Sequence, residues 1–275
     1  MKYLNIEGTR VPALGVGTWQ LSGRGCFEAV RHALDLGYRH IDTAQMYGNE
    51  TEVGWAVRDS GLARDQIFLT TKLAPGNYAT AAVKRSAEES LRRLATDHVD
   101  LLLIHWPTGE VPLGETLGAL AALRKAGKAR HIGVSNFNVA LLDEAVATQG
   151  VDLLCNQVEY HPYLSQRAVL AATRRHGLML TAYSPLARGR VLRDPVLTAI
   201  GRTYDKSPAQ VALRWLLDQD GVAAIPKATS RTHLAANLAV FDFALSAADR
   251  AQIDALRDGY RVVDPAGWAP DWDPE

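Results

Sequence analysis

The sequence predicts an α/β protein whose eight parallel strands close into a (β/α)8 TIM barrel, and three observations carry that prediction. Short apolar runs of strand length alternate with segments of helical periodicity along the chain. Runs such as Leu101-Leu102-Leu103-Ile104 lack the polar alternation of a half-exposed sheet, as expected of parallel strands covered on both faces. Eight strand and helix pairs in 275 residues leave about 34 residues per pair, close to the roughly 30 that one βαβ unit needs.

In chain order, residues 1–13 are expected to form an N-terminal β-hairpin over Gly8. Strands are expected at 14–18, 40–44, 67–72, 100–105, 131–135, 153–159, 178–183 and 222–227. Helices are expected at 26–36, 50–59, 79–94, 113–125, 139–148, 166–175, 208–217 and 231–238, each placing apolar residues near i, i+3 and i+4. Ser207-Pro208-Ala209-Gln210 marks a helix start, with serine at the N-cap, proline in the first turn and glutamine at the third position. Ser246-Ala247-Ala248-Asp249 opens an extra C-terminal helix, followed by a tail. No linker-like stretch divides the chain, so a single domain spanning 1–275 is expected. An open doubly wound sheet is the rival architecture, but Gly15-Val16-Gly17 lacks the third glycine of GxGxxG, and there is no phosphate-cradling GxxxxGK[ST] loop.

Composition removes several function classes. Thirty Lys and Arg balance 30 Asp and Glu, so the basic excess that nonspecific nucleic-acid or anionic-membrane binding requires is missing. Only Cys26 and Cys155 occur, without CxxC spacing, which argues against a disulfide framework or structural zinc. The first residues lack a signal-peptide apolar core, and no apolar run approaches the roughly 18 residues of a membrane span. A reducing, cytoplasmic location is the expectation.

In such barrels the active site gathers at the C-terminal ends of the strands. Polar residues that end apolar strands are therefore the candidates: Asp42, with Tyr47 in the following loop, then Lys72 and His105. Together they suit acid catalysis. An ammonium at Lys72 would favour the Tyr47 phenolate and lower its pKa, Asp42 would hold Lys72 charged, and His105 would orient a carbonyl. A metal-dependent hydrolase is a third class, but His40, two residues before Asp42, has no matching ligand on other strands, and no metal is expected.

The segments GYRHIDTAQMYGNE (37–50), TTK (70–72), DHVDLLLIHWP (97–107), HIGVSNF (131–137), NQVEYHP (156–162), AYSPLARG (182–189) and IPKATS (225–230) resemble aldo-keto reductases, in family order over nearly the whole chain. The resemblance implies a (β/α)8 barrel that binds NADPH in an extended pose and delivers hydride to a small aldehyde or ketone. It implies Tyr47 as proton donor, Lys72 and Asp42 as its tuning pair and His105 as carbonyl-orienting group, the same four residues reached from strand ends.

It further implies that Ser135, Asn136 and Gln157 bind the carboxamide and that Tyr183 stacks beneath the nicotinamide. Ser184, Leu186 and Ala187 would lie against the pyrophosphate. Lys227, Ala228, Thr229 and Ser230 would hold the adenosine ribose and 2′-phosphate, with Asn237 at the adenine. Many NADPH-selective relatives carry arginine where this chain has His233 and an acidic residue where it has Ala236. Since histidine is only partly charged at neutral pH, selectivity for NADPH over NADH is left open. With zero net charge, local groups around Lys227 would have to recognise the phosphate.

The expected substrate pocket comprises Trp19, Met46, Leu73, Trp106 and Trp268, with Ala74 widening its mouth. The closing run from Asp264 to Asp273, together with Gln45 in DTAQMY, resembles the family's bacterial 2,5-diketo-gluconate reductase B and methylglyoxal reductase members, implying small polar dicarbonyls and aldehydes as substrates. The resemblance and the neutral charge point to a monomer. A noncatalytic NADPH-binding regulatory or structural protein on the same fold is the alternative, which a panel of aldehydes would separate from a reductase.

Overall fold

The computed structural model describes residues 1–148 and 151–274. Its first element is an antiparallel hairpin of β1 (Tyr3–Ile6) and β2 (Thr9–Pro12), with Tyr3 opposite Pro12 and Ile6 opposite Thr9. Gly8 makes the turn at φ +86°, an angle glycine adopts at little cost.

Eight strands follow: β3 (Val16–Gly17), β4 (His40–Asp42), β5 (Phe68–Leu73), β6 (Val99–Ile104), β7 (Ala129–Ser135), β8 (Leu153–Glu159), β9 (Met179–Tyr183) and β10 (Val222–Ala224). Each pairs in parallel with its neighbour in sequence. The two ends of the sheet meet at a parallel bridge between Leu14 and Ala224. There the Gly15 N–H donates to Ala224 O at 2.9 Å, the Ala224 N–H to Ala13 O at 2.8 Å and the Gly17 N–H to Pro226 O at 3.2 Å. The sheet is therefore the expected closed barrel. Gly15-Val16-Gly17 serves this seam, where a Cβ on Gly17 would stand 2.8 Å from the Ile225 carbonyl oxygen and one on Gly15 would stand 2.8 Å from the His40 ring. The ordered ladders of β3 and β10 are shorter than the expected 14–18 and 222–227, with Leu14 joined to Ala224 by an isolated bridge outside them.

Helices cover the outside: α1 (Gly23–Leu36), α2 (Glu50–Asp59), α3 (Thr80–Leu94), α4 (Leu113–Lys125), α5 (Val139–Ala147), α6 (Arg167–Arg175), α7 (Pro195–Tyr204), α8 (Pro208–Leu217), α9 (Arg231–Leu238) and α10 (Ala247–Asp254). Every residue of β5 and β6 is buried, as two covered faces require. Burying each leucine of 101–103 contributes about 1.5–3 kcal/mol. The capping box of Ser207 with Gln210 is formed, as is that of Ser246 with Asp249. Helix α7 was not expected from the sequence. Asp194 caps it by accepting from the N–H groups of Val196 and Leu197, Pro195 fills its first turn, and it buries Leu197 and Ile200. Among the described residues, no helix is long and apolar enough to cross a membrane.

Beyond α10 the chain runs without regular structure back over the barrel mouth. It is tied down in stages. Asp258 pairs with Arg190, Val262 and Val263 bond Glu159, and Asp271 and Asp273 reach Asn138 and Val139 at the start of α5.

Candidate active site

Asp42 is the last residue of β4, and the chain then makes a 3-10 turn over Gln45–Tyr47. Three side chains fix this turn. Asn49 donates to the carbonyls of Thr18 and Leu21 at 2.8 and 2.9 Å and accepts from Thr43 Oγ1 at 2.7 Å. Gln45 donates to Ser86 O and Ser90 Oγ and accepts the Ala74 N–H at 2.8 Å, tying the turn to β5 and α3. Tyr47 is thus carried back to Lys72, whose Nζ lies 3.4 Å from the Tyr47 hydroxyl, 2.5 Å from Asp42 Oδ1 and 2.9 Å from Thr43 O. The His105 ring meets that of Tyr47 edge-on at 5.7 Å between centroids. The four residues named from strand ends therefore form one cluster.

Burial opposes the Lys72 charge, but Asp42 and Tyr47 more than offset it, and the lysine pKa is raised. For Tyr47, burial raises the pKa and Asp42 adds to the rise, while Lys72 lowers it. The net direction is upward, opposite to the lowering expected from Lys72 alone. The residue as a whole is only half-buried, yet its hydroxyl reaches a fully buried ammonium, so desolvation outweighs that attraction. Tyr47 is consequently a protonated donor at neutral pH. Burial first and Lys72 second push the His105 pKa well below its usual value, so the imidazole is neutral. Its Nδ1 is buried without a hydrogen-bond partner.

Above this cluster opens a cavity of about 780 Å³. Asp42, Tyr47 and His105 line it, together with Trp19, Met46, Trp106 and Trp268. A second group in the lining is Ser135, Asn136, Gln157 and Tyr183, with Ser184 and Leu186, and a third is Lys227, Ala228, His233 and Asn237. The second group is one network. Gln157 donates to Asp42 Oδ2 at 2.8 Å, Ser135 Oγ to Gln157 O at 2.8 Å, Asn136 Nδ2 to His105 O at 2.9 Å, and Tyr183 Oη to Asn136 Oδ1 at 2.8 Å. Asn136 holds φ +66° to do so, a left-handed angle that asparagine tolerates better than most residues.

Several expected positions fall elsewhere. Leu73 is fully buried and outside the lining, because neighbours on a strand face opposite ways and Lys72 faces the cluster. Ala74 is also outside it, its N–H donated to Gln45 Oε1. Ala187 packs into the core, where its side chain supports the loop from beneath. Thr229 and Ser230 lie outside the lining, and the Ser230 hydroxyl is taken up in capping α9 through the His233 N–H. His40 bonds Pro12 O at 3.2 Å and approaches Thr70 Oγ1 at 3.4 Å, a structural pairing. Among the described residues, no group of three or more His, Cys, Asp or Glu side chains is placed to hold a metal ion.

Reading the sequence missed Arg188, Gln20, Val263 and Pro265. Arg188 and Lys227 both face the Trp19 ring, at 4.8 and 5.9 Å from its centroid, and Lys227 donates to Gln20 Oε1 at 3.2 Å. A basic residue two positions after Leu186 was its one visible signal. The lining thus holds Arg188, Lys227 and two histidines, His105 and His233, against a single carboxylate, Asp42, which is already paired. An anionic dinucleotide fits that donor set: an aromatic face at Tyr183, amides beside it, and the cations Arg188 and Lys227 in the same lining.

The profile of the Aldo/keto reductase family matches residues 13–258. Methylglyoxal reductase DkgB of Escherichia coli O157:H7 is 42% identical over 266 residues, covering 96% of this chain and 99% of that protein. Morphine 6-dehydrogenase of Pseudomonas putida is 41% identical over 272 residues, covering 93% and 91%. Among solved structures, one named "putative 2,5-diketo-D-gluconic acid reductase B" superposes with a TM-score of 0.98 at 48% identity, covering 100% of this chain and 98% of that one.

Proposed function

The chain belongs to the aldo/keto reductase family, and from that premise we infer that it is an NADPH-dependent reductase of small aldehydes and ketones with Tyr47 as its general acid. The observation that carries this reading is the buried Asp42–Lys72 pair, with the protonated Tyr47 hydroxyl 3.4 Å from the ammonium at the cavity wall.

Bound at this site, NADPH would supply a hydride to the carbonyl carbon. The rest falls to the chain's own residues. Neutral His105 can donate one hydrogen bond to the substrate oxygen and so orient it toward Tyr47. As negative charge develops on that oxygen, Tyr47 gives up its proton, and the Lys72 ammonium stabilises the phenolate left behind. Asp42, fixed by Gln157, keeps Lys72 charged through the cycle. Ser135, Asn136 and Gln157 would orient the carboxamide and Tyr183 would support the ring. Lys227, Arg188, His233 and the capped start of α9 offer the positive field for phosphate groups.

The relatives' names support small dicarbonyls such as methylglyoxal and keto-sugar acids as the substrate class. The test is NADPH and NADH oxidation against methylglyoxal, a keto-sugar acid and an aromatic aldehyde, with Tyr47→Phe as control. Removing the acid is expected to cost about 10²- to 10⁴-fold in kcat with cofactor affinity retained. Full turnover by the Phe variant would overturn the assignment. Cofactor binding without turnover by the unaltered protein would favour a regulatory role.

A further inference from the structure

Glu159 is a fully buried carboxylate at the mouth end of β8 that the proposed chemistry does not use. Its oxygens face the C-terminal tail: the Val262 N–H donates to Oε1 at 2.7 Å and the Val263 N–H to Oε2 at 2.8 Å. His161, also fully buried, places Nε2 at 2.9 Å from the same Oε1. Gln166 Nε2 donates to the Glu159 carbonyl at 2.7 Å, which holds the backbone at that point. A buried carboxylate that accepts two successive backbone N–H groups grips a segment without regard to its side chains, and charge makes both bonds strong.

We propose that Glu159 is a positioning residue for substrate binding: its carboxylate seats residues 262 and 263 so that the tail beyond them forms the substrate-side wall of the cavity. The proposal rests on the reductase reading of that cavity. Val263, Pro265 and Trp268 all line it. They lie between the Glu159 anchor and the next one, where Asn138 Nδ2 donates to Asp271 O at 2.8 Å and Asp273 accepts the Val139 N–H at 3.0 Å. Within this span, Trp268 and Ala269 turn back onto Pro265 O. Trp272 donates to Asp264 and meets Trp106 edge-on at 6.5 Å, which ties the wall to a residue beside His105. With no regular structure in the span, the placement of Pro265 and Trp268 depends on its two ends and on these few ties between them. Glu159 is the buried one, which explains an acid among the apolar positions of a barrel strand.

Two variants act on the seat from opposite sides. Glu159→Gln keeps the side-chain volume but replaces one acceptor oxygen by a donor that faces an N–H. Val262→Pro removes a donor while leaving the β8 side chain intact. Each is expected to speed hydrogen exchange at the tail amides of 262–269 and to raise KM for a carbonyl substrate about tenfold, equivalent to about 1.4 kcal/mol. In each, kcat and the dissociation constant for NADPH should stay within about twofold. Unchanged tail exchange in folded Glu159→Gln protein, or a fall in kcat and cofactor affinity at constant KM, would overturn the proposal. If one variant does not fold, the other decides. If the unaltered protein reduces no carbonyl, the reductase reading fails while the exchange measurement still decides the seat.

Discussion

The Lys72 ammonium lies 2.5 Å from the Asp42 carboxylate, and neither group is open to solvent. An ion pair so placed is costly to break from one side, since the remaining charge has no water to turn to. Lys72→Met is expected to destabilise the protein by about 3–5 kcal/mol. Lys72→Met/Asp42→Asn should recover much of that loss without recovering activity. Urea unfolding of the two variants checks both statements.

Burial and Asp42 hold the Tyr47 proton on more firmly than in a free tyrosine. Reduction is therefore expected to lose no rate to deprotonation of Tyr47 across neutral pH, and to fall only above the free-tyrosine value of about 10. A pH profile of single-turnover reduction tests this. A loss near pH 7 that disappears in Tyr47→Phe would show instead that Lys72 wins over burial.

His233 and Lys227 both line the cavity. If they bind the 2′-phosphate, His233→Arg should raise the ratio of kcat/KM for NADPH over NADH by about tenfold, since guanidinium is always charged and grips phosphate with two hydrogen bonds. Lys227→Met should lower that ratio. Unchanged ratios in both variants would move the phosphate contact elsewhere, with Arg188 the next candidate.

Burial lowers the pKa of His40 and of His105, so in the folded protein both favour the neutral ring. A depressed pKa means that the unfolded chain takes up protons first as pH falls. Stability from these rings is thus fully present above the ordinary histidine value of 6.5 and is lost as pH drops below it. Each ring can contribute at most about 1.4 kcal/mol per pH unit to that slope. Chemical denaturation between pH 7 and 5 measures it, and a flat curve would contradict the burial argument.

Much of this was legible in the sequence for a physical reason. Strands covered on both faces are largely apolar, so Asp42, Lys72 and His105 stand out at strand ends, whereas Ser135 and Gln157 are legible only through the motifs shared with the family. Helix α7 was missed although Asp194-Pro195 signals its start, because counting one helix per strand left no place for a second helix before α8. Leu73 was misplaced by adjacency, since the residue after Lys72 must face away from it. The Glu159 seat was beyond reach of the sequence: its partners are backbone amides about a hundred positions away, and an amide carries no residue identity.

The seam between Leu14 and Ala224 also bears on how the chain reaches this state. A nascent polypeptide emerging from its N-terminus exposes the outer edge of β3 until residue 224 has been synthesised, because no earlier segment supplies that partner. Unpaired edges invite pairing with other chains. This edge runs only from Ala13 to Gly17, and its two glycines, Gly15 and Gly17, lack a side chain that an intruding strand could pack against. A short edge with two glycines is a poor template for such pairing, so the seam that closes the barrel last also presents little for another chain to extend before it closes.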